Sequence, residues 1–367
     1  MANTMAYDRR YALNAICPYY TSFPLEYPMS ILKKYKNETI LDPFCGRGTT
    51  LYASRELGFP AWGIDSSPIA VAISNAKLAI VKPDDVLDLA STLIHKEPIC
   101  LPDNEFFQVA FSFETLRQIC SIREGLINSQ TESDASVVLR AAMIGCLHGP
   151  QTKTIQTASY FSNHMLRTFS PKPVYSIKYW KSNNLKAPKI DVLKVLAKKL
   201  HRIPNNFDVI HPSSVIMGDC TDPKTYQDIS KRFSLVITSP PYYGMRTYIQ
   251  DQWLRNWFLG GPDIVDYKIK RQLNHNGQLA FIQSLASALK NLLLSQSDSL
   301  NLYVRFGAIP SVKSCAKQIM LSSIEEATGW KIVSISESNN HHGKRQARQM
   351  QCTSKVAPEF DFHFSRA

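Results

Sequence analysis

Thr238-Ser239-Pro240-Pro241-Tyr242, which follows the short apolar run Phe233–Ile237, is the stretch whose residue types point most directly to chemistry. The two prolines fix φ and carry no N–H. The carbonyls around them are therefore left to point into a cleft and accept hydrogen bonds. Ser239 adds a small polar acceptor, and Tyr242 adds a flat face. Such a loop could hold a planar base by its ring while accepting both protons of an exocyclic amine. Ser-Pro-Pro is also an ordinary turn signal, and the motif alone leaves both readings open.

A second segment stands about two hundred residues earlier, Asp42-Pro43-Phe44-Cys45-Gly46-Arg47-Gly48-Thr49-Thr50, preceded by the apolar pair Ile40-Leu41. It reads as strand, glycine turn and helix start. Glycines let the backbone approach a ligand closely, and Thr49 or Thr50 could cap the helix that continues through Leu57. Ala61–Asp65 reads as a second strand ending in a carboxylate. An acid at that place typically grips ribose hydroxyls. Asp65 is also placed to cap a helix ahead of Ser66-Ser67-Pro68, and one residue can do both. Cys45 reads as a small packing residue.

With both segments in view, the chain resembles the S-adenosylmethionine-dependent amino-methyltransferases of DNA, specifically the cytosine-N4 group. Asp42–Thr49 is similar to that family's cofactor loop, and Thr238–Tyr242 to its catalytic loop in the serine form. Adenine-N6 relatives more often carry Asp or Asn where Ser239 stands. The resemblance spans roughly residues 15–80 and 205–340. It implies S-adenosylmethionine as cofactor, with contacts from Asp42, Phe44, Gly46, Gly48, Asp65 and Ser66. Thr21 and Ser22 would serve the methionine carboxylate, and Asp219 and Cys220 the adenine. It implies catalysis by Ser239, Pro240, Pro241 and Tyr242 on the N4 amine of a cytosine flipped out of double-stranded DNA, with no metal and no covalent intermediate. A cognate restriction endonuclease of the same system would be a further partner. Carbon-5 methylation needs a thiol nucleophile, usually in Pro-Cys, and the chain has no such dipeptide. An adenine-N6 enzyme, an RNA base-amine methyltransferase and an inactive nucleic-acid-binding module are the alternatives. The intact Asp42, Gly46, Gly48, Asp65 and Ser239 argue against the last.

Charge points to the same class of partner. The formal net charge is +12. Residues 151–205 hold eleven Lys/Arg against one acid, Asp191, and residues 338–358 add Lys344, Arg345, Arg348 and Lys355 with no acid. Clusters of this kind suit a polyanion; the alternative is a solvated lysine-rich face. Asn163, Arg167, Lys172, Lys178, Lys344, Arg345 and Arg348 are the candidate nucleic-acid contacts. Asn163 to Lys172 lie in a polar, aromatic and basic loop, Ala158–Tyr175, expected to face the target base or to be an irregular crossover. Eight cysteines occur singly, without a C-x-x-C pair. This argues against zinc and disulfides, and for a reducing cytoplasm. No apolar run reaches the length of a membrane span, and the N-terminus is unlike a secretory signal.

The elements that must position these residues read as an α/β fold: a doubly wound, mostly parallel Rossmann-like sheet with a helical insertion. Residues 1–80 and 206–367 form the expected catalytic domain. Residues 81–205 form the insertion, with a DNA-binding or target-recognition role. Helical spacing marks Phe106–Leu126, Ala135–Leu147, Ile190–His201, Gln252–Leu259, Asn274–Leu294 and Ile319–Thr328. Strands are expected at 214–219, 233–238, 300–306, 330–335 and 359–364. Trp253 and Trp257 share a helix face that reads as core. Both loops fall at the C-terminal edge of the sheet, where such folds bind ligands.

Overall fold

The short β-branched and aromatic runs flanking the two loops pair into one seven-stranded sheet in the computed structural model, which describes residues 10–19, 23–203, 212–227, 229, 233–244, 249–266, 273–307, 314–338 and 358–367. The strands are β1 (Ile40–Asp42), β2 (Ala61–Asp65), β3 (Ser214–Met217), β4 (Leu235–Thr238), β5 (Asn301–Gly307), β6 (Trp330–Glu337) and β7 (Glu359–Arg366). Their spatial order is β3-β2-β1-β4-β5-β7-β6. The pairs β3–β2, β2–β1, β1–β4 and β4–β5 are parallel, and β7 runs antiparallel between β5 and β6. β1 and β4 are buried along their whole length, as parallel strands covered on both faces must be. From β1 the chain winds outward to β2 and β3, and from β4 outward to β5. The β1/β4 boundary is therefore the point where strand order reverses, and the crevice beyond the strand ends lies there. The expected doubly wound, mostly parallel sheet is thus present.

The chain divides into two compact units. The sheet unit comprises Thr21–Ser74, Val209–Thr247 and Lys270–Ala367. In it, helices Gln278–Asn291 and Ala316–Ala327 share a core with Leu302, Val304 and Phe306 of β5 and with Phe362 and Phe364 of β7. Alternation along β5 and β7 sends these side chains to one face.

The helical unit comprises Met1–Tyr20, Asn75–Asp208 and Tyr248–Ile269. The sequence reading bounded its helical part at 81 and 205; the unit also takes in the N-terminal segment and the helix Trp253–Phe258. Arg255 explains why. It is fully buried, and its guanidinium donates to the carbonyls of Ile144 (3.0 Å), Pro18 (2.7 Å), Thr168 (3.1 Å) and Arg167 (2.7 Å) and to Gln252 Oε1 (2.6 Å). A charge taken out of water persists only with such a full set of acceptors, and here the set ties three stretches of chain together. Trp253 and Trp257 are buried beside it, as expected of core residues, with Trp257 against Phe107 at 4.6 Å.

The single helix expected at Phe106–Leu126 is two, Glu105–Ala110 and Phe113–Ile127. Phe111 is extended, and the Ser112 side chain accepts from Thr115 N, capping the second helix. The loop expected through Tyr175 ends earlier, because a helix starts at Pro173, a residue suited to a first turn. Among the described residues no helix is long and apolar enough to cross a membrane, and the seven described cysteines are free.

Candidate active site

The glycine turn hangs from the end of β1. Asp42 is fully buried, and its Oδ1 accepts from Phe44 N (3.2 Å) and from Thr238 Oγ1 (2.6 Å). Oδ2 is buried with no hydrogen-bond partner among the described residues. Burial raises the carboxyl to about 6, and the bond from Thr238 opposes this only in part. Gly46 and Gly48 have φ of +51° and +71°, the left-handed region that glycine occupies without strain. At Gly48 a Cβ would stand 2.7 Å from Ser74 Oγ. At Gly46 a Cβ would meet nothing nearer than the Phe44 carbonyl at 3.9 Å, so that side of the turn is an open cradle.

The capping expectation is corrected. Gly48 is the N-cap of helix Thr49–Leu57, with no side-chain capping bond. The Thr50 hydroxyl donates instead to the Ile237 carbonyl of β4 (3.1 Å), and the buried Thr49 hydroxyl has no partner among the described residues. Asp65, at the end of β2, accepts from Gly46 N (2.9 Å) at Oδ2 and from Ser67 N (2.8 Å) at Oδ1. With a further backbone bond from Ser66, it steadies both the glycine turn and the entry to helix Pro68–Leu78, and part of its acceptor capacity is left over. Burial raises its carboxyl to about 6 against these backbone bonds. Cys45 packs as expected: Gly63 lies so close that a Cβ there would be 3.0 Å from the Cys45 side chain.

Thr238 ends β4 and delivers the Ser239-Pro240-Pro241-Tyr242 loop beside this turn. The Thr238–Asp42 bond is short and buried, and it joins the two loops across neighbouring strands. Tyr242 is fixed from the other side. Its hydroxyl donates to Glu359 Oε1 (2.6 Å) at the start of β7. Its ring stands edge-on to Phe306 (5.6 Å, 78°) and lies so near Gly307 that a Cβ there would be 2.9 Å away. Burial and then the charge of Glu359 push the phenol well above its ordinary value, so it stays protonated and donating. Tyr243 stacks on His275 (6.4 Å, 14°) and leans on Phe281 (5.3 Å), holding the outgoing chain. Glu359 and Gly307 were not among the expected site residues. The only sequence signal for Glu359 was its place at the head of an expected strand.

Asp219 follows β3 and is exposed, its Oδ1 accepting from Thr221 N and Oγ1 at 2.8 Å each. Cys220 has its thiol in the core of the sheet unit, and its carbonyl accepts from Tyr226 and Asn291 (3.1 Å each). Its side chain packs the core. Asn163 also needs correction. It is fully buried; its amide donates to the Val109 and Leu185 carbonyls (3.3 and 3.2 Å), and its Oδ1 accepts from His164 N and Gln151 Nε2. It holds the loop together and is not available to a nucleic acid. Arg167, Lys172 and Lys178 are exposed on the helical unit. Thr21, Ser22, Lys344, Arg345 and Arg348 lie outside the described residues. The sheet unit therefore brings together Asp42, Phe44, Gly46, Gly48, Asp65 and Ser66 with the Ser239–Tyr242 loop.

Thr238→Val tests the link between the loops. It keeps the side-chain shape but leaves the buried Asp42 carboxyl without its shortest bond. Urea denaturation is expected to show a loss of about 1–3 kcal/mol, the cost of a buried polar group left unsatisfied. A parent-like midpoint would mean the link carries no stability.

Residues 5–76, which hold the glycine turn and Asp65, match the family described as DNA methylase. The chain is 23% identical over 244 residues to the Type II methyltransferase M.MvaI of Kocuria varians, an alignment covering 59% of this chain and 50% of that protein. It thus spans about half the length of the curated relative it matches. Among solved structures it is similar to the rRNA methyltransferase aviRa from Streptomyces viridochromogenes (TM-score 0.37, 13% identity, covering 98% of this chain and 94% of that one). It is also similar to an rRNA methylase from Streptococcus thermophilus (TM-score 0.35, 6% identity, 94% and 98%).

Proposed function

We propose that this chain is an S-adenosylmethionine-dependent DNA amino-methyltransferase acting on the N4 amine of cytosine. The observation that carries the reading is the Thr238–Asp42 hydrogen bond, which joins the glycine turn to the Ser-Pro-Pro-Tyr loop at the strand-order reversal. The match of residues 5–76 to the DNA methylases supports the broader class.

The turn fits the cofactor. The open side of Gly46 leaves room for it, while Asp42 Oδ2 and the Thr49 hydroxyl are buried polar atoms that lack a hydrogen-bond partner among the described residues. When bound, S-adenosylmethionine supplies a methyl group on a sulfonium centre. The remaining acceptor capacity of Asp65 would serve its ribose, the Gly46–Gly48 backbone would lie against its amino-acid part, and Asp219 would take the adenine amine. Thr21 and Ser22 remain assigned to the methionine carboxylate by resemblance alone.

The chain's own contribution to the reaction is to hold the amine. The N4 lone pair of cytosine delocalises into the ring. Acceptance of both amine protons, by Ser239 and the Pro240 carbonyl, favours the pyramidal and nucleophilic form. Tyr242, fixed by Glu359, serves as a wall for the flipped base. The rate advantage comes chiefly from placement. A neutral hydroxyl at 239 in place of a carboxylate favours cytosine over adenine in this reading.

The test is methyl transfer from labelled cofactor to duplex DNA, tRNA and total RNA, followed by mass spectrometry of the nucleosides. N4-methylcytosine in duplex DNA is expected. N6-methyladenine alone would overturn the base assignment, and label confined to RNA would overturn the substrate.

A further inference from the structure

The outer face of helix Pro173–Ser182 is held too firmly, and exposes too much apolar surface, to be a solvated crossover. The inner face is fixed: Ser176 and Trp180 are buried, the Trp180 indole N–H donates to the His164 carbonyl (2.7 Å), and its ring lies 5.5 Å from Phe106. Lys181 pairs with Glu105. On the outer face Val174 is 80% exposed, Tyr175 66% and Tyr179 40%, with Lys178 between them. Positions 174, 175, 178 and 179 share one side of a helix.

The loop leading into the helix is also pinned from beneath. His148 is fully buried, with Nδ1 on the Leu166 carbonyl (2.7 Å) and Nε2 on Ser170 Oγ (3.0 Å). Burial, with the Arg255 charge second, keeps this imidazole neutral, so one ring nitrogen donates and the other accepts. Arg255 takes the carbonyls of Arg167 and Thr168. The exposed side chains of Arg167 and Lys172 thus stand on a backbone fixed on both sides of them. A prearranged surface of this kind loses little conformational freedom on binding.

Charge selects the partner. Residues 151–190 contain seven Lys/Arg and no Asp or Glu, which disfavours most protein surfaces and favours a polyanion. Shape selects its form: a ten-residue helix is about 15 Å long, and the B-DNA major groove, about 12 Å wide, admits one. Resting on the reading of the substrate as duplex DNA, we infer that this helix face enters the major groove. Val174, Tyr175 and Tyr179 then lie against base edges, and Arg167, Lys172 and Lys178 lie against flanking phosphates.

The test uses the full chain and a fluorescent 30-base-pair duplex pool of mixed sequence, titrated at several salt concentrations, with circular dichroism to confirm folding. Lys172→Ala with Lys178→Ala is expected to weaken binding to every duplex and to lower the magnitude of the logarithmic salt slope by about two. Tyr175→Ala with Tyr179→Ala is expected to weaken duplex binding by about tenfold or more, at an unchanged slope. It should also relax the set of sequences methylated in treated DNA. Parent-like slope and affinity in both folded double variants would overturn the proposal. So would a tyrosine variant that loses oligo(dT) or tRNA binding but keeps the duplex. Cofactor binding, followed by calorimetry on the same proteins, separates the two claims. Methyl transfer to DNA by a chain whose helix variants bind normally sinks only the groove assignment. Lost duplex binding in a chain that binds no cofactor sinks only the methyltransferase reading.

Discussion

Ser239→Ala is expected to reduce methyl transfer to duplex DNA by about 100- to 1,000-fold, the usual cost of deleting one prearranged hydrogen-bonding group at a reacting centre. Cofactor affinity should stay at the parent value. In the proposed arrangement the serine meets the amine and nothing of the cofactor, so the loss belongs in single-turnover rate and not in cofactor binding. Ser239→Asn, which restores an acceptor one bond further from the backbone, should recover part of the rate. The Ser239 hydroxyl also hydrogen-bonds Tyr242, and that contact goes with it. Thr238 before the serine is tied to Asp42 and Tyr242 after it to Glu359, so deleting one hydroxyl leaves the loop held at both ends. A parent-like single-turnover rate in Ser239→Ala would remove the serine from the chemistry. The Pro240 carbonyl would then be the only acceptor left to the proposal.

The parts of the fold that were legible are those fixed by local pattern. β1, β2 and β4 are short apolar runs ending at a turn or a carboxylate, which is how buried parallel strands read. Helices Asp134–Cys146 and Val192–Leu200 follow the 3.6-residue spacing and begin at Ser133 and Asp191, whose side chains cap them. What escaped depends on long-range pairing. Placing β7 between β5 and β6 requires a register set by residues more than fifty positions from β5, such as Arg305 with Asp361. The inclusion of residues 248–269 in the helical unit rests on Arg255, whose carbonyl partners in Ile144, Pro18 and Arg167 lie 111, 237 and 88 residues away. An arginine on an amphipathic helix gives no sign of this in sequence.

The site divides the same way. Asp42, Gly46, Gly48 and Asp65 could be picked out because glycine conformation and an acid at a strand end are local properties of the chain. The anchor of Tyr242 on Glu359 spans 117 residues and could not be seen. Asn163 was misread because a polar residue in a basic loop looks exposed until its burial is known. The capping residue was misassigned for a related reason. Threonine is a good N-cap, but the left-handed Gly48 already occupies that position, and the Thr50 hydroxyl finds its partner on β4.

Asp65→Ala and Gly46→Val should each weaken S-adenosylmethionine binding by about tenfold or more, since one hydrogen bond to a charged group contributes about 1.5–3 kcal/mol. The two act differently. Asp65→Ala removes the ribose acceptor and also the partner of Gly46 N, so the turn loosens with it. Gly46→Val puts a branched side chain into the open cradle at a φ of +51°, and strain there costs of order 1–3 kcal/mol by itself. Gly46→Ala carries part of the strain with far less bulk, so calorimetry on both variants separates backbone from occupancy. The pH dependence adds an independent check. Asp65 has its carboxyl raised to about 6 by burial. Its contribution to the stability of the free protein is therefore complete below the ordinary carboxylate range and is lost as pH rises through about 6. A ligand that donates hydroxyls to the ionised carboxylate reverses that trend. The rise in melting temperature on adding cofactor should accordingly grow between pH 5 and pH 7, and Asp65→Ala should flatten it. Asp42, also raised to about 6, is the competing source. A pH dependence that survives in Asp65→Ala and disappears in Asp42→Asn would move the titrating contact from the ribose acid to the floor of the turn.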